Sequence, residues 1–297
     1  MNQMNPIFGP LRPPFLILTP ACIALGLGMV HYSGAAIDPL YSTLIMVGAL
    51  AAHTAVNAFN EYFDFRSGLD LRTCRTPFSG GSGTLPKHPE LASLTLAIGL
   101  TGATFALAVG FYFWVVQGPA LLPVGLLGLV LVFFYTPWLT RRPWLCLVAP
   151  GLGFGPCMVL GTQAALTGQY SWAGFTSSLV PFFLANNLLL LNQFPDLEAD
   201  RNVGRNNLPI LIGRRRSGLI YGLFFGLALL ALGAGVFLGH LPTASLLGYA
   251  GLAAGVPVLH GVMRHPDSIG KLLPYLGLNV AVSVATPVLT AVGAFLG

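Results

Sequence analysis

Charge is what this chain has least of: 8% of its 297 residues are Asp, Glu, Lys or Arg, against 55% hydrophobic. Soluble domains carry about a quarter charged residues. So thin a supply cannot cover a globule of this length, which excludes a soluble globular domain and a disordered chain. Cysteine is also sparse. Cys22, Cys74, Cys146 and Cys157 contain no Cys-x-x-Cys pair, so a disulfide scaffold is excluded and all four read as free thiols. The one Gly-rich stretch, Gly80-Gly81-Ser82-Gly83, lacks the Gly-Lys-Ser/Thr of a Walker loop and by itself reads as a linker.

What the chain does have is long apolar runs. A bilayer core of about 30 Å takes about 20 residues of helix. Nine runs meet that length, at roughly 13–31, 41–63, 91–113, 120–140, 144–166, 172–195, 216–238, 243–263 and 272–296. They are continuously apolar and do not alternate in steps of two, so they are helices and not barrel strands. The first run has no compact basic start and eight more follow it, so it reads as a span, not a signal peptide. The sequence therefore predicts an all-α polytopic membrane protein, nine transmembrane helices in a bundle, forming a single domain over 1–297.

With nine spans, all 14 Lys and Arg residues fall on one side of the membrane. They precede the first span or follow the even-numbered ones. The positive-inside rule makes that side, and the N-terminus, cytoplasmic. This expectation places the chain in the cytoplasmic (inner) membrane. It also accounts for the net charge of +5 without a nucleic-acid surface. Arg214-Arg215-Arg216 reads as an inner-face anchor.

Eight of the nine carboxylates lie on the same side, Asp38 being the exception, and six form two clusters. One is Asn57-Ala-Phe-Asn60-Glu61-Tyr62-Phe63-Asp64, running on to Gly68 and Asp70. The other is Asn192-Gln193-Phe-Pro-Asp196-Leu-Glu198-Ala-Asp200-Arg201. Both contain Asn-x-x-x-Asp, at 60/64 and 192/196, the second extended to Asp200. A four-residue step stacks side chains on one helical face, where carboxylates near a bilayer repel. A divalent cation removes the conflict. The donors are all oxygens, which suits Mg²⁺ (or Mn²⁺) rather than zinc. Candidate metal ligands are Asn60, Asp64, Asn192, Asp196 and Asp200, with Glu61 and Asp70 behind them, while Glu198 points off that face. The plainer reading, an interfacial acidic cap beside arginines, leaves the duplicated spacing unexplained.

The loops after the clusters also echo each other. Arg72 and Arg75 lead to Leu85-Pro86 and Lys87, and Arg205 leads to Leu208-Pro209. Arginines and exposed N–H groups there suit phosphate oxygens. Candidate diphosphate contacts are Asn60, Asn192 and the cations Arg12, Arg72, Arg75, Lys87, Arg201 and Arg205.

At these residues the chain resembles the UbiA superfamily of intramembrane prenyltransferases. Its Asn60-x-x-x-Asp64 and Asp196-x-x-x-Asp200 are similar to that family's two Asp-rich motifs, after the second and sixth helices. The resemblance implies nine helices and a polyprenyl diphosphate bound through Mg²⁺. It also implies transfer of the prenyl group to an acceptor, often aromatic, with Asn60, Asp64, Asp196 and Asp200 catalytic. Asp64-x-x-x-Gly68-x-Asp70, Gly204-Arg205-x-x-Leu208-Pro209, Arg12-Pro13, Gly151-Leu152-Gly153 and Gly161-Thr162 are similar to the dihydroxynaphthoate-prenylating, menaquinone-type branch. Phe154 stands where that branch usually has an acidic residue, and Gln193-Phe194-Pro195 replaces its usual polar and basic residues.

Aromatic faces can stabilise an allylic cation, the candidates being Phe59, Tyr62, Phe63, Tyr135 and Phe194. His53, two turns before Asn60, is open between a structural histidine and a base. An ion or solute transporter and a membrane scaffold are the rival classes. Transporter sites lie near the midplane on broken helices, whereas these carboxylates sit at helix ends.

Overall fold

The computed structural model describes residues 6–73 and 75–297, and every regular element among them is helical. The sequence's Cys74 lies outside the described residues; Cys22, Cys146 and Cys157 are free thiols. After a 3-10 turn at Pro6–Leu11 come α1 (Leu18–Tyr32), α2 (Pro39–Ser67), α3 (Ala92–Gln117) and α4 (Leu122–Phe134). Then follow α5 (Pro143–Thr167), α6 (Trp172–Asn202), α7 (Arg214–Phe237), α8 (Thr243–Arg264) and α9 (Ile269–Leu296).

Eight of these are long and apolar enough to cross a membrane, counting α1 with its lead-in from Pro6, and the chain is an integral membrane protein. The fourth expected span, 120–140, is the exception, because α4 stops at Phe134. Pro137 has no N–H for a further turn and disfavours helix at Thr136 before it. The chain instead turns through 135–138 into a 3-10 segment at Leu139–Arg141.

Local chemistry sets the other helix ends. Asp38, the one carboxylate off the basic side, caps α2 by accepting from Tyr41 N at 2.9 Å, with Pro39 in the first helical position. At its other end α2 closes on Gly68 (φ 78°). Gly68 N–H donates to Phe65 O, and Leu69 N–H donates to Asp64 O at 3.0 Å. The end of α6 repeats this geometry. Gly204 (φ 77°) donates to Arg201 O, and Arg205 N–H donates to Asp200 O at 3.0 Å. Both are Schellman closures, so Asp64 and Asp200 are equivalent and Asn60 matches Asp196. This corrects the register of the internal repeat, which pairs 60/64 with 196/200 and not with 192/196. The echo of the loops holds as well. Leu85 and Leu208 are both buried, each in a short helix, at Thr84–Lys87 and Leu208–Ile212.

Between apolar helices in lipid, small residues permit close approach. α2 lies along α3, α1 along α9, and α6 along both α7 and the π-helical stretch Gly153–Leu160 of α5. Gly151 and Gly155 let α5 meet α6, since a Cβ on either would strike Phe182. All four tryptophans, at 114, 138, 144 and 172, are exposed, as interface belts require. Arg214 is more than an anchor: its Nε and Nη2 donate to Phe194 O at 3.0 and 2.8 Å, tying α7 to α6 beside Pro195.

A Cβ at Gly102 would stand 2.7 Å from the Ala51 carbonyl oxygen of α2, a backbone atom with little freedom to retreat. Gly102→Val should therefore cost about 1–3 kcal/mol through overpacking. Gly226→Ala, with nothing within 4 Å of its new methyl, should be neutral or slightly stabilising. Thermal unfolding of the two variants in detergent checks the contrast.

Candidate active site

The two Schellman closures bring the ends of α2 and α6 together, and Arg205, the residue after the second closing glycine, turns in between them. Its Nη2 donates to Asp64 Oδ1 and its Nη1 to Asp200 Oδ1 at 3.1 Å. Asn207 Nδ2 donates to the other Asp200 oxygen at 2.7 Å, while Asn207 Oδ1 caps Leu208–Ile212. Burial works against the Arg205 charge, but Asp64 and Asp200 more than offset it and raise its pKa.

A second tie crosses from the N-terminal segment. Glu61, fully buried, accepts from Arg12 Nε at 2.8 Å, from Ser82 N–H at 2.6 Å and from Ser82 Oγ at 2.9 Å. Arg12 is held in a left-handed backbone conformation (φ 49°), rare for a residue with a side chain. The Gly-rich stretch folds over this tie. Gly80 N–H donates to Asp196 Oδ2 at 3.0 Å, and Gly81 lies so close to Asp70 that a Cβ would stand 2.9 Å from its Oδ1. Burial, with Glu61 and Asp64 nearby, pushes Asp70 up to about 8.

These groups form the polar end of a cavity of about 650 Å³ that runs into the bundle. Asn60, Asp64, Asp70, Asn192, Asp196, Asp200, Arg12 and Arg205 all line it. Its inner part is apolar, and Leu107 and Phe111 of α3 with Leu122 and Leu126 of α4 both line it and are exposed on the bundle's outer face. Asn60 Nδ2 donates to Thr136 Oγ1 at 3.3 Å. The early end of α4 thus delivers a hydroxyl to the site.

Several sequence expectations need correcting. Glu61 spends both oxygens on Arg12 and Ser82 and does not line the cavity, so it organises the site instead of offering a metal ligand. Arg201 is exposed and paired with Glu198 at 3.1 Å. Arg72, Arg75 and Lys87 are exposed and outside the lining, the Arg75 guanidinium packing over Gly83. The amides of Gly80 and Ser82 hold the protein's own acids. Of the aromatic candidates only Tyr135 lines the cavity. Phe59 packs against Phe63 and Phe133, Tyr62 against Phe63, and Phe194 is buried in the core. Phe78, Phe113 and Phe154 take their place in the lining. Asn207, Thr136 and Gly81 escaped sequence reasoning. Only Gly81 carried a signal, its place in the Gly-rich stretch.

Among the described residues no three His, Cys, Asp or Glu side chains form a ready metal cluster, and Arg205 is held between Asp64 and Asp200. The donor set nonetheless fits a hard cation. Asp70 Oδ2, Asn192 Oδ1 and Asp196 Oδ1 are buried lining oxygens with no hydrogen-bond donor, and oxygens alone are what Mg²⁺ accepts.

Residues 18–272 match the model of the UbiA prenyltransferase family. A 1,4-dihydroxy-2-naphthoate octaprenyltransferase of Bacillus subtilis (strain 168) is 26% identical over 195 residues, which are 65% of this chain and 61% of that protein. Protoheme IX farnesyltransferase 1 of Paramagnetospirillum magneticum is 30% identical over 215 residues, 70% of this chain and 69% of that protein. A solved structure of a UbiA homologue from Archaeoglobus fulgidus, bound to DMAPP and Mg²⁺, shares the fold. Its TM-score is 0.62 at 14% identity, over 98% of this chain and 99% of that one. The paired acidic helix ends are thus set in a fold and a sequence of one lineage, and the chain belongs to the UbiA prenyltransferase family.

Proposed function

We propose that the cavity binds a polyprenyl diphosphate at its polar end and transfers the prenyl group to a small aromatic acceptor, releasing diphosphate. The observation that carries this reading is the cavity's polarity: buried carboxylates and the guanidiniums of Arg12 and Arg205 at the mouth, apolar walls beyond, and a flank open beside Leu107 and Leu126. A diphosphate suits the first part and a polyprenyl tail the rest. 1,4-Dihydroxy-2-naphthoate is the favoured acceptor, supported by the Bacillus subtilis relative and the motifs around Asp64 and Asp200.

Asp70, Asn192 and Asp196, whose oxygens lack donors, would hold Mg²⁺ together with Asp64 and Asp200. Mg²⁺ when bound neutralises the charge that develops on the leaving diphosphate. Arg205 supplies a fixed cation to the same oxygens, and Arg12, oriented by Glu61, a second. Asn60, braced by Thr136, orients the donor where its C–O bond breaks. Tyr135 presents its ring to the allylic cation, and the apolar walls keep water from it. For the topology we infer nine crossings, α4 being the short fourth, in one domain over 1–297. The N-terminus and site would face the cytoplasm from the inner membrane.

In membranes given a radiolabelled polyprenyl diphosphate and acceptor, a chelator should abolish transfer and Mg²⁺ restore it. Asp64→Asn and Asp196→Asn should each lower the rate by at least about 100-fold while still inserting. Transfer surviving both substitutions would overturn the roles given to Asp64 and Asp196, and cation flux in proteoliposomes without donor would sink the reading in favour of a transporter.

Arg205→Met leaves Asp64 and Asp200 buried and unpaired, at a cost of about 3–5 kcal/mol in stability. Arg201→Met removes an exposed pair and should cost less than about 1 kcal/mol. Denaturation of the two variants in detergent reads the difference.

A further inference from the structure

The two helices that face each other across the cavity differ in how deep their polarity runs. On α6 the lining is Asp200, Asp196 and Asn192 with Gln193, then Leu188 and Ala185. On α2 it is Asp64, Asn60, Asn57 and, deeper still, His53. Steps of four, three and four residues keep these four side chains on one stripe. At 1.5 Å per residue, His53 lies about 10 Å beyond Asn60 along the axis. A polar group carried that far into an apolar cavity faces a polar part of whatever binds there.

His53 is held from two sides. Its Nδ1 lies 2.8 Å from Thr19 Oγ1 of α1, and its ring meets Phe154 edge-on at 5.0 Å. With the Thr19 hydroxyl accepting from Nδ1–H, the lone pair on Nε2 is left for the cavity. Asp64 and Asp200 are held by Arg205, and the oxygens left free on Asp70 and Asp196 lie at the mouth, where the function proposed above assigns them to Mg²⁺. Among the described lining residues His53 is the only imidazole.

We propose that His53 Nε2 takes the hydroxyl proton of a phenolic acceptor during prenyl transfer, a proposal that rests on the function proposed above. As the donor's C–O bond breaks, its electron pair leaves with the diphosphate. A ring-carbon π pair of the acceptor forms the new C–C bond to the allylic carbon. The acceptor's O–H bond breaks, its pair becomes the second bond of a ring carbonyl, and the proton goes to Nε2. A prenylated ring ketone and an imidazolium result, any carboxylate on the ring keeping its charge, and water entering after product release takes the proton on. The interval between Asn60 and His53 matches one aromatic ring set against the allylic carbon, with its hydroxyl at the imidazole.

The test uses the full-length protein in nanodiscs, with geranyl diphosphate and 1,4-dihydroxy-2-naphthoate as probes. His53→Gln should lower kcat by at least about 100-fold, leave the Kd for geranyl diphosphate within about twofold, and recover part of its rate with added imidazole. A kcat near wild type overturns the proposal, as does a loss of donor binding in step with activity. Should His53→Gln fail to insert, Thr19→Val decides. It keeps the imidazole but frees its orientation, so kcat should fall about tenfold at unchanged donor Kd, and an unchanged kcat overturns the proposal. A wild-type protein that binds geranyl diphosphate yet transfers it to no hydroxylated aromatic defeats the functional reading itself, before any His53 variant is made.

Discussion

The arrangement of this protein depends on one constraint: two carboxylates, Asp64 and Asp200, are buried at the ends of helices 29 and 31 residues long, where their mutual repulsion would otherwise force the ends apart. Arg205 resolves the conflict by donating to both. In a low-dielectric setting the desolvation of such a group nearly cancels its attraction to its partners, so the cluster adds little net stability. It does fix geometry, because only one mutual placement of α2 and α6 lets a single guanidinium reach both acids. The Schellman closure at Gly204 makes that reach possible by turning Arg205 back toward the helix it has just left.

The same economy of charge shapes the cavity. Arg205 and Asn207 satisfy Asp200, and Arg12 with Ser82 satisfies Glu61. Asp70, Asn192 and Asp196 each keep one oxygen unpaired. The site is therefore pre-built with fixed cations on one hand and spare oxygens on the other. That combination suits a ligand carrying phosphate and metal together better than either alone. The early end of α4 at Pro137 and the π-helical turn of α5 serve the same cavity, the first by bringing Thr136 to Asn60 and the second by presenting Phe154 and Met158.

Much of this was legible in sequence because scarcity made each charge informative. Continuous apolar runs fixed the helices, and the spacing of Asn60, Asp64, Asp196 and Asp200 marked the residues that meet. Local signals also explain Asp38, whose Asp-Pro pair caps α2. What escaped were pairings between residues distant along the chain. Arg205 and Asp64 are 141 positions apart, and Glu61 and Arg12 are 49. No local pattern separates Arg205, which turns inward, from Arg201, which binds its neighbour Glu198. The aromatic candidates failed for a related reason. A helix position beside the motif, such as Phe59, can face a neighbouring helix as readily as the cavity. The register of the internal repeat follows the glycines that close both helices, each four residues after Asp64 or Asp200, and not the shared Asn-x-x-x-Asp.

The central claim is that the oxygens left unpaired beside Arg205 complete a metal-dependent diphosphate site. Equilibrium binding of a non-hydrolysable prenyl thiodiphosphate to the purified protein tests it most directly, with and without Mg²⁺. The account predicts saturable binding that requires Mg²⁺ and is lost in Asp196→Asn. Binding of equal strength in the presence of a chelator, or in that variant, would contradict it.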